Sequence, residues 1–418
     1  MERILILGGG AAGIAAAISA AETAPSGTKV TLLEGNPRIG KKLLATGNGR
    51  CNLDNTGICP ERYFTTEPQE LQRLLTAMGE PLQWFRDHGL MTRADSEGRV
   101  YPYSNQAADF LNLLLYWLER LGVEVRTGIR VTGITRKKDG FSVSAGGETI
   151  FARSVICALG GQAGPQFGTN GHGSTLAKEL GFRVHPEYPC LVALQCDKPR
   201  PAGLAGIRVK AAVTLTDGDK FVAREEGEVQ FTEQGLSGIV IMQLSNYLRP
   251  KGGLRRPILH LDLFPGLSEG ELITLLRRRL KLMHGADNEA LMTGFVHKRV
   301  GSAVLKAAKL PSRLSHADVP VLARTFKDWQ FAGLIPLGWQ QAQTTGGGMA
   351  LSQLADDSFM VKSVPGLYFV GETLDAAGSC GGFNLHWAFG SGITAGRHAA
   401  EHLLSPRKKK ETPVKTVP

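Results

Sequence analysis

A glycine-rich turn between a short apolar run and an alanine-rich stretch most constrains the fold of this 418-residue chain. The run Arg3–Leu7 predicts a fully buried strand, and residues 14–24 predict a helix. Between them, residues 8–13 match the pattern GxGxxG, and a second strand predicted over residues 29–33 ends at Glu34. A strand, this turn, a helix and an acid at this spacing predict a dinucleotide-binding unit of the α/β class.

The positions of the turn have separate physical tasks. Gly8 allows the tight turn, Gly10 lets the backbone approach a pyrophosphate, and Gly13 lets the helix pack closely against the strand. The start of the helix offers unpaired N–H groups to the phosphates. Glu34 lies 21 residues after Gly13, where an acid can accept a hydrogen bond from a ribose hydroxyl. An acid at this position favours an unphosphorylated ribose, as in FAD or NAD.

A second strand–glycine–acid–helix unit lies about 350 residues further along the chain. Residues 366–370 predict a buried strand, and residues 384–400 predict a helix. The unit resembles the closing half of a glutathione-reductase-type FAD domain, in which the late acid binds the ribityl chain. The helix after it points its N-terminus at the flavin pyrimidine, where its dipole stabilises the charge of the reduced ring. The contacts that this resemblance implies are Gly371, Asp375 for the ribityl chain, and the backbone N–H groups of Gly382, Phe383 and Asn384 for the pyrimidine.

Two segments between these ends fit the same architecture. Residues 126–132 resemble the strand and turn that place a backbone contact on adenine, here at Val131. The run around Ala158 and Gly160 resembles the strand of small residues that borders the cofactor. The sequence therefore predicts an α/β chain with a Rossmann-like FAD-binding domain of the glutathione-reductase type, into which an antiparallel β lobe and a small helical lobe are inserted.

Further motifs extend over nearly the whole chain, to about residue 404. They are RIGKKLLATGNGRCN at 38–52, GRVYP at 98–102, FTEQGLSG at 231–238, TTGGG at 344–348 and the block 366–392. Together they resemble the BaiN/RdsA family of FAD-dependent oxidoreductases. With the fingerprint, the resemblance implies cofactor contacts from Gly8, Gly10, Ala11, Ala12, Gly13, Glu34, Gly40, Lys41, Lys42, Gly49, Arg50, Cys51 and Asn52.

The two branches of this family imply different substrates. One branch implies reduction of C=C bonds conjugated to a carbonyl in 3-oxo bile-acid intermediates, and the other implies reduction of a ribosomal RNA uridine to dihydrouridine. This chain departs from the RNA branch at Glu233, Ile239 and His386, which lie in two of its motifs. We expect a small hydrophobic carbonyl substrate, a 3-oxo-Δ4 or Δ4,6 steroid acid above all. The alternatives are a ribosomal RNA dihydrouridine synthase and a flavin-bearing sensor or binding protein.

Four side chains are candidates for the chemistry, and each has a structural alternative. Arg50 could hold the flavin or a substrate carbonyl, or anchor its own loop. Cys51 could donate a proton, or simply pack in the interior. His386, one turn into the late helix, and His172, in a Gly-His-Gly loop, are weaker candidates for proton transfer. NADH or NADPH is expected to bind transiently as the reductant, since no second strong GxGxxG pattern occurs.

Charge and cysteine content limit the partners and the compartment. The net charge is +10, and the stretch from Pro406 contributes five cationic residues against one acid. The basic run 277–281 could bind RNA or an acidic group of a substrate, or be a solvated helix face. None of the six cysteines has CxxC spacing, so we expect reduced thiols, no metal site, no membrane insertion and a cytoplasmic protein. The sequence does not indicate the oligomeric state.

The motifs predict how the chain is divided. We expect an FAD-binding domain over residues 1–189 plus 344–405 and a β-rich substrate lobe over 190–263 plus 327–343. A helical lobe is expected over 264–326, and a basic disordered tail over 406–418. Substrate is expected to bind where the lobes meet the FAD domain.

Overall fold

The computed structural model describes residues 2–197, 201, 203–250, 253–355 and 357–404. The chain forms two compact units. The first comprises Met1–Gly161, Gln166–His185 and Gly347–Pro418, and the second comprises Gln162–Pro165 and Pro186–Gly346. The basic tail predicted over 406–418 lies outside the described residues.

Five parallel strands form the central sheet of the first unit. Nearly every residue in four of them is buried, as in parallel sheets that are covered on both faces, whereas the edge strand Glu124–Arg126 contains no buried residue. Leu5 in the middle strand pairs with Val155 on one side and Thr31 on the other. Parallel pairing brings the carboxyl ends of the strands to one edge. In order across the sheet, the strands are Leu367–Phe369, Ser154–Cys157, Arg3–Leu7, Lys29–Leu33 and Glu124–Arg126.

Among the described residues, smaller sheets and seven helices surround this sheet. One three-stranded sheet contains Val131–Lys137, Gly140–Ala145 and Glu148–Ala152, another contains Asp54–Asn55, Arg99–Pro102 and Thr92–Ala94, and Tyr63–Phe64 pairs with Ala377–Gly378. The helices are Ala11–Thr23, Lys41–Ala45, Pro68–Met78, Pro81–Asp87, Ala107–Arg120, His172–Glu179 and Phe383–Leu404. Short 3-10 turns lie at Thr46–Gly49, Pro60–Arg62, Pro165–Phe167, Leu351–Gln353 and Gly371–Thr373.

The helix Ala11–Thr23 packs very closely against the helix Phe383–Leu404. A Cβ on Gly392 would lie 2.2 Å from the Ala12 carbonyl oxygen, and a Cβ on Gly396 would lie 2.3 Å from that of Ala16. Only glycine allows this approach, because any side chain there would overlap the neighbouring backbone. The contact holds the two distant ends of the chain together beside the central sheet.

A seven-stranded antiparallel sheet organises the second unit. Its strands, in order across the sheet, are Trp329–Phe331, Pro257–Asp262, Arg208–Asp217, Lys220–Phe231, Gly235–Ser237, Leu194–Gln195 and Ile335–Pro336. Its helices are Ile239–Ser245, Glu269–Leu282, Asn288–Met292, Lys298–Ala307 and Val319–Lys327. Two further strands, Val184–Cys190 and Thr344–Met349, pair with each other, and the division between the units falls within both.

The strands and helices of the second unit share one core, whereas the sequence predicted a β-rich lobe and a separate helical lobe. Phe231 and Leu259, from strands, belong to the same buried cluster as Leu272 and Phe326, from helices. Neither set of elements can bury its apolar face alone, so they pack as one unit. The structure therefore describes one inserted unit over residues 186–346 in place of two lobes.

The described residues contain neither a candidate membrane-spanning helix nor a metal-binding cluster. No helix there combines the length and the hydropathy that crossing a bilayer requires. Those residues also hold no group of three His, Cys, Asp or Glu side chains placed to bind a metal ion. All six cysteines lie in the described part of the chain and are free thiols.

Candidate active site

The glycine-rich turn joins the first strand to the first helix, and its three motif glycines meet different surroundings. Gly8 has a φ of 106°, and a Cβ there would lie 2.3 Å from the Ala158 carbonyl oxygen. A Cβ on Gly13 would lie 1.8 Å from the Gly8 carbonyl oxygen. A Cβ on Gly10 would meet nothing within 4 Å. The protein's own packing thus requires Gly8 and Gly13, whereas Gly10 faces open space that a bound pyrophosphate would fill.

The first helix begins at this open space. Its N-cap, Gly10, makes no side-chain capping bond, and no acidic residue lies in the first turn. The first intrahelical bond runs from the Ile14 N–H to the Gly10 carbonyl oxygen. The N–H groups of Ala11 and Ala12 therefore have no partner within the helix, and the positive end of the helix dipole suits an anion. These features fit the pyrophosphate of a dinucleotide.

Glu34 lies at the end of the neighbouring strand, where two backbone groups hold its carboxylate. Its Oε2 accepts a hydrogen bond of 2.7 Å from the Gly9 N–H. Its Oε1 accepts from the backbone and side-chain nitrogens of Asn36, both at 2.7 Å. A carboxylate can accept about four hydrogen bonds, so Glu34 keeps capacity for a ribose hydroxyl.

The ends of three strands meet beside the first helix. Ala158 donates its N–H to the Leu7 carbonyl oxygen at 2.8 Å, and the Thr373 hydroxyl donates to the Gly160 carbonyl oxygen at 3.2 Å. A Cβ on Gly371, whose φ is 67°, would lie 2.9 Å from the Cβ of Ala12. Segments separated by hundreds of residues thus surround the same helix N-terminus.

His172 is tied to the segment that was predicted to contact adenine. Its Nε2 lies 2.9 Å from the carbonyl oxygen of Val131, which is buried. One ring nitrogen of His172 is therefore used in a structural hydrogen bond, next to the predicted adenine contact rather than the predicted flavin contacts. This geometry argues against the catalytic role that the sequence suggested for His172.

Two neighbouring acids bear on the predicted ribityl contact. Asp375 is only 2% exposed, and its Oδ2 accepts hydrogen bonds from the Thr66 N–H at 2.8 Å and the Thr66 hydroxyl at 2.5 Å, with Thr65 at 3.3 Å. Asp375 is therefore a tether for the 65–66 turn. Glu372, directly after the strand and Gly371, is partly exposed. Both acids follow the same strand, so Glu372 is a second candidate for a ribityl hydroxyl beside the predicted Asp375.

The Gly-Lys-Lys segment leads into the helix Lys41–Ala45. Gly40 has a φ of 73° and donates its N–H to the Gly9 carbonyl oxygen at 2.8 Å. Lys42 Nζ lies 2.6 Å from Glu372 Oε2, and Lys41 Nζ donates to the Gln166 carbonyl oxygen at 2.8 Å. The Lys42–Glu372 ion pair therefore joins this segment to the late strand end at the candidate ribityl position.

The Gly-Arg-Cys-Asn segment presents Arg50 to solvent. Its Nε donates to the Gly47 carbonyl oxygen at 3.1 Å, and its guanidinium carbon lies 4.9 Å from the centre of the Tyr101 ring. Within the described residues, no carboxylate pairs with it. Gly49 precedes it with a φ of 82°, and a Cβ at Gly49 would meet nothing within 4 Å. Arg50 is thus a fixed cation whose terminal nitrogens remain available for a ligand.

Cys51 is fully buried and has a φ of 58°. Burial raises the pKa of its thiol to about 12, although a hydrogen bond with Thr46 acts in the opposite direction. The backbone N–H of Cys51 also donates to the Thr46 carbonyl oxygen at 3.0 Å. A fully buried thiol with so high a pKa is a poor acid, so the structure favours the packing alternative over proton donation.

Asn52 joins this segment to the start of the last described helix. With its amide nitrogen facing carbonyl oxygens, it donates to Val100 at 3.2 Å and to Asp54 at 3.0 Å, and its oxygen accepts from the Gly382 N–H at 3.1 Å. A Cβ on Gly382 would lie 2.1 Å from the Asp54 carbonyl oxygen. The Gly382 N–H, predicted to face the flavin, is therefore used within the protein.

Phe383 begins the last described helix, so its N–H has no partner within the helix. The Asn384 side chain accepts from the Gly378 N–H at 2.8 Å and donates to the Gly378 carbonyl oxygen at 2.9 Å. The Asn384 side chain thus positions the loop before the helix. The backbone N–H groups of Phe383 and Asn384 remain the candidates for the flavin pyrimidine.

His386 forms a buried pair that the sequence did not indicate. It is 5% exposed, and its Nδ1 lies 2.9 Å from Oδ1 of Asp54, which is 3% exposed. The pair links the last described helix to the strand that follows the Gly-Arg-Cys-Asn segment. His386 therefore has the geometry of a positioning residue, and the catalytic candidacy suggested by the sequence finds no support.

The fold and the site around the N-terminus of the first helix define an FAD-dependent oxidoreductase with a Rossmann-type domain. The chain belongs to the HI0933-like family, because residues 2–398 match the family's Rossmann-domain model. The match confirms the family resemblance and the fold class that the motifs predicted.

Two relatives of known activity cover almost the whole chain. The 3-dehydro-bile acid delta(4,6)-reductase of Clostridium scindens is 35% identical over 411 residues, which are 96% of this chain and 100% of that protein. The ribosomal RNA dihydrouridine synthase of Escherichia coli is 28% identical over 94% of this chain and 96% of that protein. Among solved structures, the 3-ketosteroid delta1-dehydrogenase of Sterolibacterium denitrificans covers 96% of this chain and 100% of its own, with 14% identity and a TM-score of 0.50. That likeness shows a shared fold.

Proposed function

We propose that the protein is an FAD-dependent, NAD(P)H-driven reductase of C=C bonds conjugated to a carbonyl, acting on 3-oxo-Δ4 or Δ4,6 steroid acids of the bile-acid type. The observation that carries the proposal is the 35% identity to a bile-acid delta(4,6)-reductase over the full length of that relative. The relative that modifies RNA is less similar, at 28%. The free cysteines support a reducing compartment, and we propose the cytoplasm.

The residues of the first unit fit FAD. We propose that the open face at Gly10 and the N–H groups of Ala11 and Ala12 hold the pyrophosphate, and that Glu34 holds the adenosine ribose. Glu372 takes the ribityl chain, fixed by Lys42. When bound and reduced, FAD supplies a hydride to the substrate's β-carbon.

Arg50 has the position and freedom to act on the substrate carbonyl. Its Nε is bound to its own loop and its plane lies over Tyr101, so few conformations are lost when the terminal nitrogens bind. A cation at the carbonyl oxygen stabilises the negative charge that develops there during reduction of the conjugated bond. We therefore propose Arg50 as the group that orients and polarises the carbonyl.

We propose that the proton taken up by the α-carbon comes from none of the three predicted candidates. Cys51 is buried and neutral, His386 is paired with Asp54, and His172 is bonded to Val131. We propose that all three are structural. Substitutions that preserve their packing should then leave the pH dependence of turnover unchanged.

The test uses purified protein loaded with FAD and reduced without oxygen by NADH or NADPH. The reduced protein is mixed with a 3-oxo-Δ4 steroid acid or with unmodified ribosomal RNA, and flavin reoxidation is followed at its visible absorption band. We expect reoxidation by the steroid, and an Arg50→Gln protein that binds FAD but reoxidises at least about 10-fold more slowly. Reoxidation by RNA alone, with dihydrouridine formed, would overturn the proposal.

A ribosomal RNA dihydrouridine synthase is the second candidate, and exposed cations of one helix favour it. Arg277, Arg278 and Lys281 of Glu269–Leu282 are exposed. Arg279 is not part of that surface, because its Nε donates to the Leu291 carbonyl oxygen at 2.5 Å and its guanidinium lies 5.6 Å from the Phe295 ring. If RNA binds there, substitution of the three exposed cations should reduce RNA affinity and its salt dependence together.

A further inference from the structure

Arg62 is an exposed cation at the end of the turn Pro60–Arg62. Its guanidinium carbon lies 6.0 Å from the centre of the Phe383 ring. No carboxylate within the described residues pairs with it. The adjacent Glu61 is bonded to its own backbone and to Cys59, which lowers the pKa of that carboxyl. Arg62 thus carries an uncompensated charge directly beside the first residue of the helix that is proposed to face the flavin.

The backbone of Arg62 is fixed relative to that helix. Its carbonyl oxygen accepts from the Ser379 N–H at 2.8 Å, and the next residue, Tyr63, pairs with Gly378 across two short strands. The Tyr63 hydroxyl donates to the Phe383 carbonyl oxygen at 3.0 Å. These bonds fix the Arg62 backbone beside the start of the helix, and its guanidinium lies by the Phe383 ring.

A continuous wall connects Arg62 to Arg50. Arg50 lies over Tyr101, and Arg99 shares a strand face with Tyr101, since residues two apart point the same way. A Cβ on Gly381 would lie 3.5 Å from Arg99 Cγ and 3.8 Å from the Phe383 ring. The strand step from Arg99 to Tyr101 accounts for about 7 Å of this wall.

The charges along this wall lie at its two ends. Arg99, in the middle, is neutralised by Asp95 at 2.7 Å and by Glu97 at 2.8 Å. Arg50 and Arg62 have no such partners within the described part of the chain. A molecule that lies along the wall would therefore meet one free cation near its carbonyl and a second near its far end.

We propose that Arg62 binds the carboxylate at the far end of the substrate and so makes the enzyme selective for acids over neutral steroids. This inference rests on the proposed function. A guanidinium that lies over an aromatic ring keeps its in-plane N–H groups free for a carboxylate, which it can bind with two hydrogen bonds. A neutral steroid forms no ion pair with Arg62. The enzyme therefore binds the acid more tightly, by the free energy of that ion pair.

The experiment compares a 3-oxo-Δ4 steroid acid with its methyl ester, using the FAD-loaded enzyme. We expect Arg62→Gln to raise KM for the acid about 10-fold while kcat and the KM for the ester stay unchanged. Arg120→Gln is the matched control, because Arg120 is an exposed arginine that also lies 6.0 Å from an aromatic ring, that of Trp117. Arg120→Gln should leave KM and kcat unchanged for both the acid and the ester. Equal effects of Arg62→Gln on acid and ester would overturn the proposal.

A binding measurement distinguishes failure of the inference about Arg62 from failure of the proposed function. The saturated 3-oxo steroid acid is titrated into the oxidised holoenzyme, and the change in the flavin spectrum is measured, so no turnover is needed. About 10-fold weaker binding to the Arg62→Gln protein supports the inference even if no enone is reduced. Equal binding to both proteins, or no binding to the wild type, refutes it even if the ester and the acid are both reduced.

Discussion

Gly10 offers a clean separation of cofactor binding from folding. A Cβ at this position meets nothing within 4 Å, and the backbone is extended, with a φ of −82°. Gly10→Ala therefore introduces no overlap with the protein and no backbone strain. The new methyl group enters the open space in front of the first helix, where the pyrophosphate is proposed to lie.

The magnitudes for folding and binding differ. Alanine is a poorer N-cap than glycine, but it also reduces the entropy of the unfolded chain, and the two effects cancel to within about 1 kcal/mol. An extra methyl group against a close-fitting ligand costs about 1–3 kcal/mol. The FAD dissociation constant should therefore rise about 10- to 100-fold while the apoprotein keeps its stability.

The assay measures FAD affinity by fluorescence titration of the apoprotein and stability by urea unfolding. Gly270→Ala is the matched control, since a Cβ there also meets nothing within 4 Å but lies in the second unit. It should leave FAD affinity unchanged. Gly13→Ala should instead destabilise the apoprotein by about 2–3 kcal/mol, because its Cβ would lie 1.8 Å from the Gly8 carbonyl oxygen. Unchanged FAD affinity in Gly10→Ala would refute the placement of the pyrophosphate.

Three further substitutions test other positions. Cys51→Ala should cost about 1–2 kcal/mol of stability but leave the pH profile of kcat unchanged, because burial keeps the thiol neutral with a pKa of about 12. His386→Ala should cost about 3 kcal/mol in urea unfolding by leaving the buried Asp54 carboxyl with the Asn55 N–H in place of two partners, and His386→Gln should recover part of that stability. Burial is the largest single influence on the pKa of His88 and lowers it, but the hydrogen bonds with Glu22 and the Trp84 carbonyl oxygen and the charges of Glu22 and Asp87 together raise it above its ordinary value. The stability that Glu22→Gln removes should therefore be full below the unfolded-state pKa of about 6.5 and decline as pH rises through the folded-state value.

Local patterns in the sequence were sufficient for the first unit. The predicted helix at 384–400 is observed as Phe383–Leu404, and the predicted strand at 29–33 is observed as Lys29–Leu33. The periodicity of apolar residues and the spacing of glycines indicate such helices and strands, because these elements depend on neighbours within a few residues. The single core of the second unit was not predictable in the same way. A shared core depends on which faces of elements distant in sequence pack together.

The two acids after the late strand show the same limit at the site. Glu372 and Asp375 are three residues apart, and the sequence offers no local reason to prefer either for the ribityl chain. The choice is made by Thr65 and Thr66, which surround one oxygen of Asp375, and by Lys42, which pairs with Glu372. These partners lie more than 300 positions away in sequence, so only the folded chain distinguishes the two acids.

Long-range contacts of the same kind hold the proposed substrate-binding arginines. The Asp54–His386, Asn55–Gly381 and Tyr63–Phe383 bonds span 332, 326 and 320 positions, and all join residues 54–63 to the start of the last described helix. Because one helix end anchors both arginines and is also proposed to face the flavin, their positions relative to the cofactor depend on it together. A substitution that removes one of these three bonds should therefore raise both the FAD dissociation constant and the KM for the steroid acid. Arg62→Gln should raise only the KM for the steroid acid. That contrast distinguishes a residue that touches the substrate from one that positions other residues.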